Sequence, residues 1–283
     1  MNALRALLFC LLLMTCRGEL MAAERGSFRT SDGVRLEFLS AGAGPLLVFE
    51  PGWMCPAWIW EAQLAYFSHA GWRAVALDPR AQGGSDRPAN GFLPERRARD
   101  VRELVEHLRP DAPVVLVGWS MGVGEVLSYA SQFGTKELRA LVLVDGFLGG
   151  EPTKEGMVGR LQWLEGLQRD PSAFFDGFMK MFFARPQPPD YLQRLRADIE
   201  RTPVNSAVLL QVGHLTRNFW GDLAKVDRPV LYVCQRMLEK QAEKVRATLP
   251  GAQIEVIDGV GHALFVDAPE RFNARVAAFL GRP

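Results

Sequence analysis

Residues 114–124 read VVLVGWSMGVG. Val114, Val115, Leu116 and Val117 form a short apolar run bounded by Pro113 and Gly118, the pattern of a strand buried on both faces. After Met121, residues 123–133 (VGEVLSYASQF) space their apolar side chains three and four positions apart, so the chain leaves as a helix. Between the two lies Gly118-Trp119-Ser120-Met121-Gly122, a G-x-S-x-G pattern. A strand that becomes a helix within a few residues strains the backbone at the turn and leaves room only for hydrogen two positions to either side. Gly118 and Gly122 supply that clearance, which lifts the Ser120 hydroxyl out of the sheet and sets it beside the unpaired N–H groups of a helix N-terminus. The five-residue pattern alone is common, and its bland reading is an ordinary strand-to-helix turn. The strand before it and the helix after it make Ser120 a candidate nucleophile.

Working outward, strands and helices alternate on both sides. Upstream, residues 26–30 and 34–39 flank Ser31-Asp32-Gly33, a hairpin turn signal. A buried strand over 46–49 ends at Glu50-Pro51-Gly52-Trp53, a helix runs through 60–70, a strand follows at 73–77, then a glycine-rich loop over 78–88 and a charged amphipathic helix over 94–108. Downstream, 138–144 (LRALVLV) is a buried strand closed by Asp145-Gly146; 230–234 and 254–257 are further strands, with helices over 239–249 and 269–280. This alternation implies an α/β fold, a mostly parallel central sheet with helices on both faces. It breaks between Phe147 and Leu223, where helical periodicity and many aromatic residues imply a helical cap inserted over the sheet. The expected organisation is therefore a core of residues 24–146 and 224–283 with a cap over 147–223. The cap aromatics read mostly as the insertion's own core. Trp119 beside the nucleophile, with Phe147 and Phe182 of the insertion, are the candidates to line a substrate cleft.

The 283 residues are 48% apolar, enough for one large domain, and 33 basic against 32 acidic residues leave a charge of +1, which gives no reason to expect a nucleic acid partner. Arg5, an apolar run over 6–14 and small residues at Ala22 and Ala23 read as an export signal too short to span a bilayer. Cleavage is expected near Ala23, giving a periplasmic or secreted chain with no stable membrane anchor. Residues 13–16 faintly resemble a lipoprotein cleavage site, but Thr15 fits poorly before Cys16, so lipidation there is the lesser reading. Cys55 and Cys234 remain and read as two separate packed thiols. The scattered histidines, with no His-x-x-x-His or Cys-x-x-Cys, point to no metal. The 78–86 loop lacks a Gly-Lys-Ser/Thr ending, so it is no phosphate-binding loop, and no cofactor is expected.

A serine hydroxyl needs a base. His69 and His107 fall at the ends of surface helices, and His214 falls in the cap. His262, in Gly259-Val260-Gly261-His262, follows the last strand on the edge where Ser120 emerges, because parallel strands point one way. It is the expected base, with a structural loop histidine as the bland alternative.

Together, Gly118 to Gly122, Gly52-Trp53, the loop Asp78-Pro79-Arg80-Ala81-Gln82-Gly83-Gly84-Ser85 and Gly261-His262 resemble the α/β-hydrolase superfamily from Phe28 to the C-terminus, and residues 52–63 and 122–135 resemble its cofactor-free haloperoxidase and aryl-esterase branch. The resemblance implies a Ser-His-acid triad and an acyl-enzyme. It also implies oxyanion N–H donors at Trp53 and Met121, although Pro51 stands where the family usually has histidine. Branch members that favour perhydrolysis have proline after that tryptophan; Met54 here favours ester hydrolysis. Family members most often carry the acid just after the seventh strand, where this chain has Leu238 and no aspartate. Some carry it after the sixth, which here ends at Asp145. Asp145 is the first candidate, Glu239 the alternative, and no acid at all the third.

The expected function is hydrolysis of small carboxylic esters with apolar acyl or aryl groups. Lactonase, thioesterase or perhydrolase chemistry at the same site, or a non-catalytic binding member of the fold, are the alternatives.

Overall fold

A computed structural model describes residues 23–150 and 153–283. The export-signal expectation, Cys16 included, falls outside the described residues except for Ala23. Eight strands form one sheet: β1 (Glu24–Arg29), β2 (Arg35–Ala41), β3 (Leu46–Glu50), β4 (Arg73–Asp78), β5 (Val114–Trp119), β6 (Leu138–Val144), β7 (Val230–Gln235) and β8 (Gln253–Ile257). Their order is β1-β2-β4-β3-β5-β6-β7-β8. The β1–β2 hairpin and the β2–β4 pair are antiparallel, and all other pairs are parallel.

The strand register follows from which side chains must be dry. In β3, Leu47 and Phe49 join one apolar cluster while Leu46 and Val48 join the other, so the two faces of the sheet are buried by alternate residues. Helices α1 (Glu61–His69) and, near the C-terminus, Pro269–Leu280 cover the first face. Helices α2 (Pro94–Leu108) and α3 (Met121–Phe133), together with Glu239–Thr248, cover the second. Pro94 opens α2 at its first turn, where its missing N–H costs nothing, and Arg109 closes it in a left-handed conformation. Helix α3 begins at Met121, directly after Ser120, two residues earlier than its periodicity alone suggests.

Between β6 and β7 stand α4 (Lys154–Arg169), α5 (Pro171–Lys180), α6 (Pro189–Glu200), α7 (Val204–Leu215) and the short α8 (Trp220–Leu223). Their buried residues Leu167, Phe175, Phe178, Leu195, Ile199 and Leu210 do not form a separate core. They belong to the same cluster as Trp53, Met54 and Trp58 of the sheet-edge turn. After β7 come α9 (Glu239–Thr248), a short α10 (Leu264–Asp267) and α11 (Pro269–Leu280). Among the described residues no helix is long and apolar enough to cross a membrane, and no group of three or more His, Cys, Asp or Glu could hold a metal. Cys55 and Cys234 are each buried and unbonded.

Candidate active site

The parallel register brings five strand ends to one edge. Gly118 lies across from Glu50 on one side and Leu143 on the other, and Val144 lies across from Val233. The turns after β3, β5, β6, β7 and β8 therefore share one end of the sheet, the place where open α/β sheets carry their sites.

Ser120 has φ 55° and ψ −116°, a strained geometry for a residue with a Cβ. Its surroundings enforce it. A Cβ on Gly118 would come within 2.4 Å of the Gly122 carbonyl oxygen, and one on Gly122 within 2.7 Å of the Glu50 carbonyl oxygen. Neither glycine admits a side chain, which is the physical content of the G-x-S-x-G spacing. The Ser120 N–H donates to the Val144 carbonyl at 2.9 Å and ties the bend to β6.

His262 Nε2 lies 2.8 Å from Ser120 Oγ, and its Nδ1 lies 2.7 Å from Asp145 Oδ2. An ionised carboxylate only accepts, so Nδ1 carries the proton and the Nε2 lone pair faces the serine hydroxyl. The imidazole is about a quarter exposed while the Asp145 side chain has no exposure at all. Asp145 is itself held at φ 45°, and its N–H donates to the Val233 carbonyl. Gln235 completes its hydrogen bonding: the backbone N–H donates to Oδ1 at 2.9 Å and Nε2–H donates to Oδ2 at 2.8 Å. Three groups converge on this dry carboxylate and fix its orientation.

The loop that carries His262 is fastened from three sides. Gly261 N–H donates to Asp267 Oδ2 at 2.7 Å, His262 N–H to the Met181 carbonyl at 3.2 Å, and the indole N–H of Trp119 to the His262 carbonyl at 2.9 Å. A Cβ on Gly261 would sit 2.5 Å from the Phe182 carbonyl oxygen, so the Gly-His pair is steric in origin.

Two expectations are corrected here. Trp119 and Phe182 do not line a cleft: each is 1% exposed, and they pack edge to face at 5.5 Å with Phe265 and His262 around them. Trp119 and Phe182 belong to one buried cluster with Phe265, and the Phe182 carbonyl accepts from Ala263 N–H at 2.8 Å, which sets this segment against the loop of His262. They hold the imidazole from behind. Phe147 does line the cleft. Glu239 is a surface residue whose carboxylate pairs with Arg236 at 2.9 Å, and Asp145 occupies the place beside Nδ1.

On the opposite side of Ser120, a Cβ on Gly52 would lie 3.1 Å from the serine Cβ, so the Gly52–Trp53 peptide adjoins the nucleophile. Met121 opens α3, and its N–H has no intrahelical acceptor. These are the two backbone donors expected around a developing oxyanion. The Trp53 ring is buried against Trp163 and Phe178, each at 5.1 Å, and its indole N–H donates to the Ala207 carbonyl, which pins this turn to the inserted helices.

Beneath the turn lies a buried polar relay that sequence reading did not find. Gln82 Nε2 donates to the carbonyls of Gly52 at 3.0 Å and Cys55 at 2.9 Å, and its Oε1 accepts from Arg97 Nη1 at 3.1 Å. Arg97 pairs with Glu125 through Nε and lies 3.6 Å from Glu50. Two carboxylates face one guanidinium, and Glu50 Oε1, Glu50 Oε2 and Glu125 Oε2 have no hydrogen-bond partner among the described residues. Burial first, then the neighbouring Glu125 carboxylate, pushes Glu50 well above the ordinary carboxylate range. It is the member of the pair that stays protonated and neutral.

The cleft above Ser120 has a volume of about 280 Å³, with apolar walls from Phe147, Leu215, Met237 and Leu238 and polar groups from Gln211, His214 and Gln235. Gln235, Gln211 and Met237 carried no sequence signal beyond their place after a strand or in the insertion. A serine alcohol, an imidazole with its lone pair turned to it, an ionised acid behind and two backbone donors ahead can together attack an acyl carbon and hold the tetrahedral oxyanion.

The profile of the Alpha/beta hydrolase family matches residues 47–275. Over 271 residues the chain is 26% identical to a non-heme chloroperoxidase of Kitasatospora aureofaciens, covering 89% of this chain and 98% of that one. It is 33% identical over 121 residues to a bifunctional esterase/perhydrolase of Acinetobacter calcoaceticus, 42% of this chain and 44% of the other. Its backbone is similar to that of an esterase from Exiguobacterium antarcticum, with a TM-score of 0.84 over 90% of this chain and 98% of that one at 22% identity, a likeness of fold.

Proposed function

This chain belongs to the alpha/beta hydrolase family, and from that premise we propose that it is a serine hydrolase that cleaves carboxylic esters through an acyl-enzyme. The observation that carries this reading is the chain of contacts from Asp145 through His262 to Ser120, 2.7 Å and 2.8 Å long. In this reading Ser120 Oγ attacks the ester carbonyl as His262 Nε2 takes its proton, and Asp145 stabilises the imidazolium. The N–H groups of Trp53 and Met121 hold the oxyanion, a donor of this kind contributing about 3 kcal/mol to the barrier reduction. The imidazolium then protonates the leaving alcohol, and water repeats the sequence in reverse to release the acid.

Met54 bears on ester hydrolysis against perhydrolysis. Its φ of 61° is a conformation that proline, locked near −65°, cannot adopt, so the turn after Trp53 differs in shape from one built with proline there. Residues 24–146 and 224–283 serve as the hydrolase core and 147–223 as the cap. The N-terminal signal pattern supports export to the periplasm or medium.

A fluorophosphonate probe tests the reading. It should label the protein stoichiometrically, and Ser120→Ala should abolish the label. A folded protein that fails to label is instead a binding member of the family.

A further inference from the structure

The cleft wall contributed by α7 differs in chemistry from the rest. Gln211 and His214 stand three residues apart, hence on one helix face, and both line the cleft that holds Ser120 and His262. Neither side chain makes a hydrogen bond to another side chain or backbone group among the described residues. Gln211 is half-buried. His214 is only 9% exposed, and its Nδ1 is enclosed with no partner. Its Nε2 is not among the enclosed atoms, and the residue lines the cleft.

An enclosed nitrogen without a partner is less costly as a bare lone pair than as an N–H. The proton of the neutral ring therefore sits on Nε2 and is offered to whatever occupies the cleft. Burial, then the positive charges of Arg97 and Arg160, keep this imidazole neutral down to about pH 4. The same positive surroundings favour an electron-rich oxygen beside it. Arg160 packs over the Phe147 ring at 5.4 Å, on the wall next to His214. The Gln211 carboxamide adds donors on the same face.

We propose that Gln211 and His214 form a recognition subsite for a hydrogen-bond-accepting oxygen of the substrate. The preferred ester then carries a second oxygen function, such as a ketone or amide carbonyl, a few atoms from the scissile carbonyl, in place of a plain alkyl chain. This rests on the serine hydrolase reading and narrows its substrate class. A site built to hydrogen-bond a substrate group discriminates against the analogue lacking it, because its own polar groups are then left desolvated and unpaired.

The test uses two matched pairs of p-nitrophenyl esters, pentanoate with 4-oxopentanoate and hexanoate with 5-oxohexanoate, on the full-length protein and on His214→Phe, His214→Gln and Gln211→Leu. The readout is the ratio of kcat/KM for the oxo ester to that for its alkyl partner, in which intrinsic reactivity and any general loss of activity cancel between variants. For at least one pair the ratio should fall about tenfold in His214→Phe and severalfold in Gln211→Leu, with His214→Gln, which retains a donor, in between. Ratios equal to wild type in Gln211→Leu and in whichever His214 variants fold overturn the subsite and leave the hydrolase reading intact. A wild-type protein that hydrolyses none of the four esters and takes no fluorophosphonate label overturns both.

Discussion

Arg97 of α2 and Glu125 of α3 form an ion pair with each side chain 1% exposed, and through Gln82 the pair reaches the carbonyl of Gly52 in the turn beside Ser120. Arg97 donates but cannot accept, so it fixes which way the Gln82 amide points. The amide in turn fixes the peptide whose next N–H belongs to Trp53. A buried charge that loses its partner keeps the whole cost of leaving water. Arg97→Met should therefore destabilise the protein by about 3–5 kcal/mol in urea denaturation. A change under about 1 kcal/mol would mean that the pair is hydrated in solution.

Glu50 gives the same cluster a pH dependence. Its carboxyl is held protonated in the fold by burial and by Glu125. The unfolded chain releases that proton near the ordinary 4.5. Above that pH the native state holds more protons than the unfolded state, so stability falls as pH rises through the window between the two values. Glu50→Gln keeps the neutral form at every pH. Denaturation midpoints at pH 5 and pH 8 should show wild type losing stability relative to Glu50→Gln as pH rises, and parallel curves would refute the neutral assignment.

The acid that orients His262 is separable by mutation. Asp145→Asn preserves volume and the bond from Gln235 N–H but removes the charge that keeps the proton on Nδ1. It should cut kcat by about 10³- to 10⁴-fold with little change in KM. Glu239→Gln, at an exposed residue paired with Arg236, should leave kcat within about twofold. A large loss in the second variant and none in the first would reverse the roles.

How much of this was legible in the sequence depends on whether a feature is steric or relational. The bend at Ser120 was readable because Gly118 and Gly122 are forced by contacts within the same short segment and with β3. His262 was readable because parallel strands share a direction, which fixes the edge without any distance being known. Asp145 and Glu239 could both be seen as strand-end carboxylates. Only their placement, one dry beside Nδ1 and one exposed beside Arg236, separates them. Arg97 stands in PERRARDVRELVEHL, where it reads as one of many solvated charges, yet its helical phase turns it against α3 and buries it. Trp119 and Phe182 show the converse. Their size and apolarity mark them for burial but say nothing about which cavity, if any, they border. Gln211 and His214 were invisible as a pair because the periodicity of the insertion gives each helix a face without saying what that face meets.

His214 makes a last prediction that is independent of catalysis. Its ring is neutral in the fold down to about pH 4, against an ordinary value of 6.5. Between those values the unfolded chain binds a proton that the native state does not, so stability is fully present above pH 6.5 and is lost as pH falls toward 4. One proton sets a slope of about 1.4 kcal/mol per pH unit, or about 2 kcal/mol between pH 7.5 and pH 5. The other titratable groups are present in both proteins when wild type is compared with His214→Phe, so their contributions cancel in the difference. The stability difference between the two should shift by about 2 kcal/mol in favour of the variant on going from pH 7.5 to pH 5 in urea denaturation. If the difference stays constant, the imidazole is charged or hydrated in the native state, and the cleft wall it forms is wetter than its burial beside Phe219 implies.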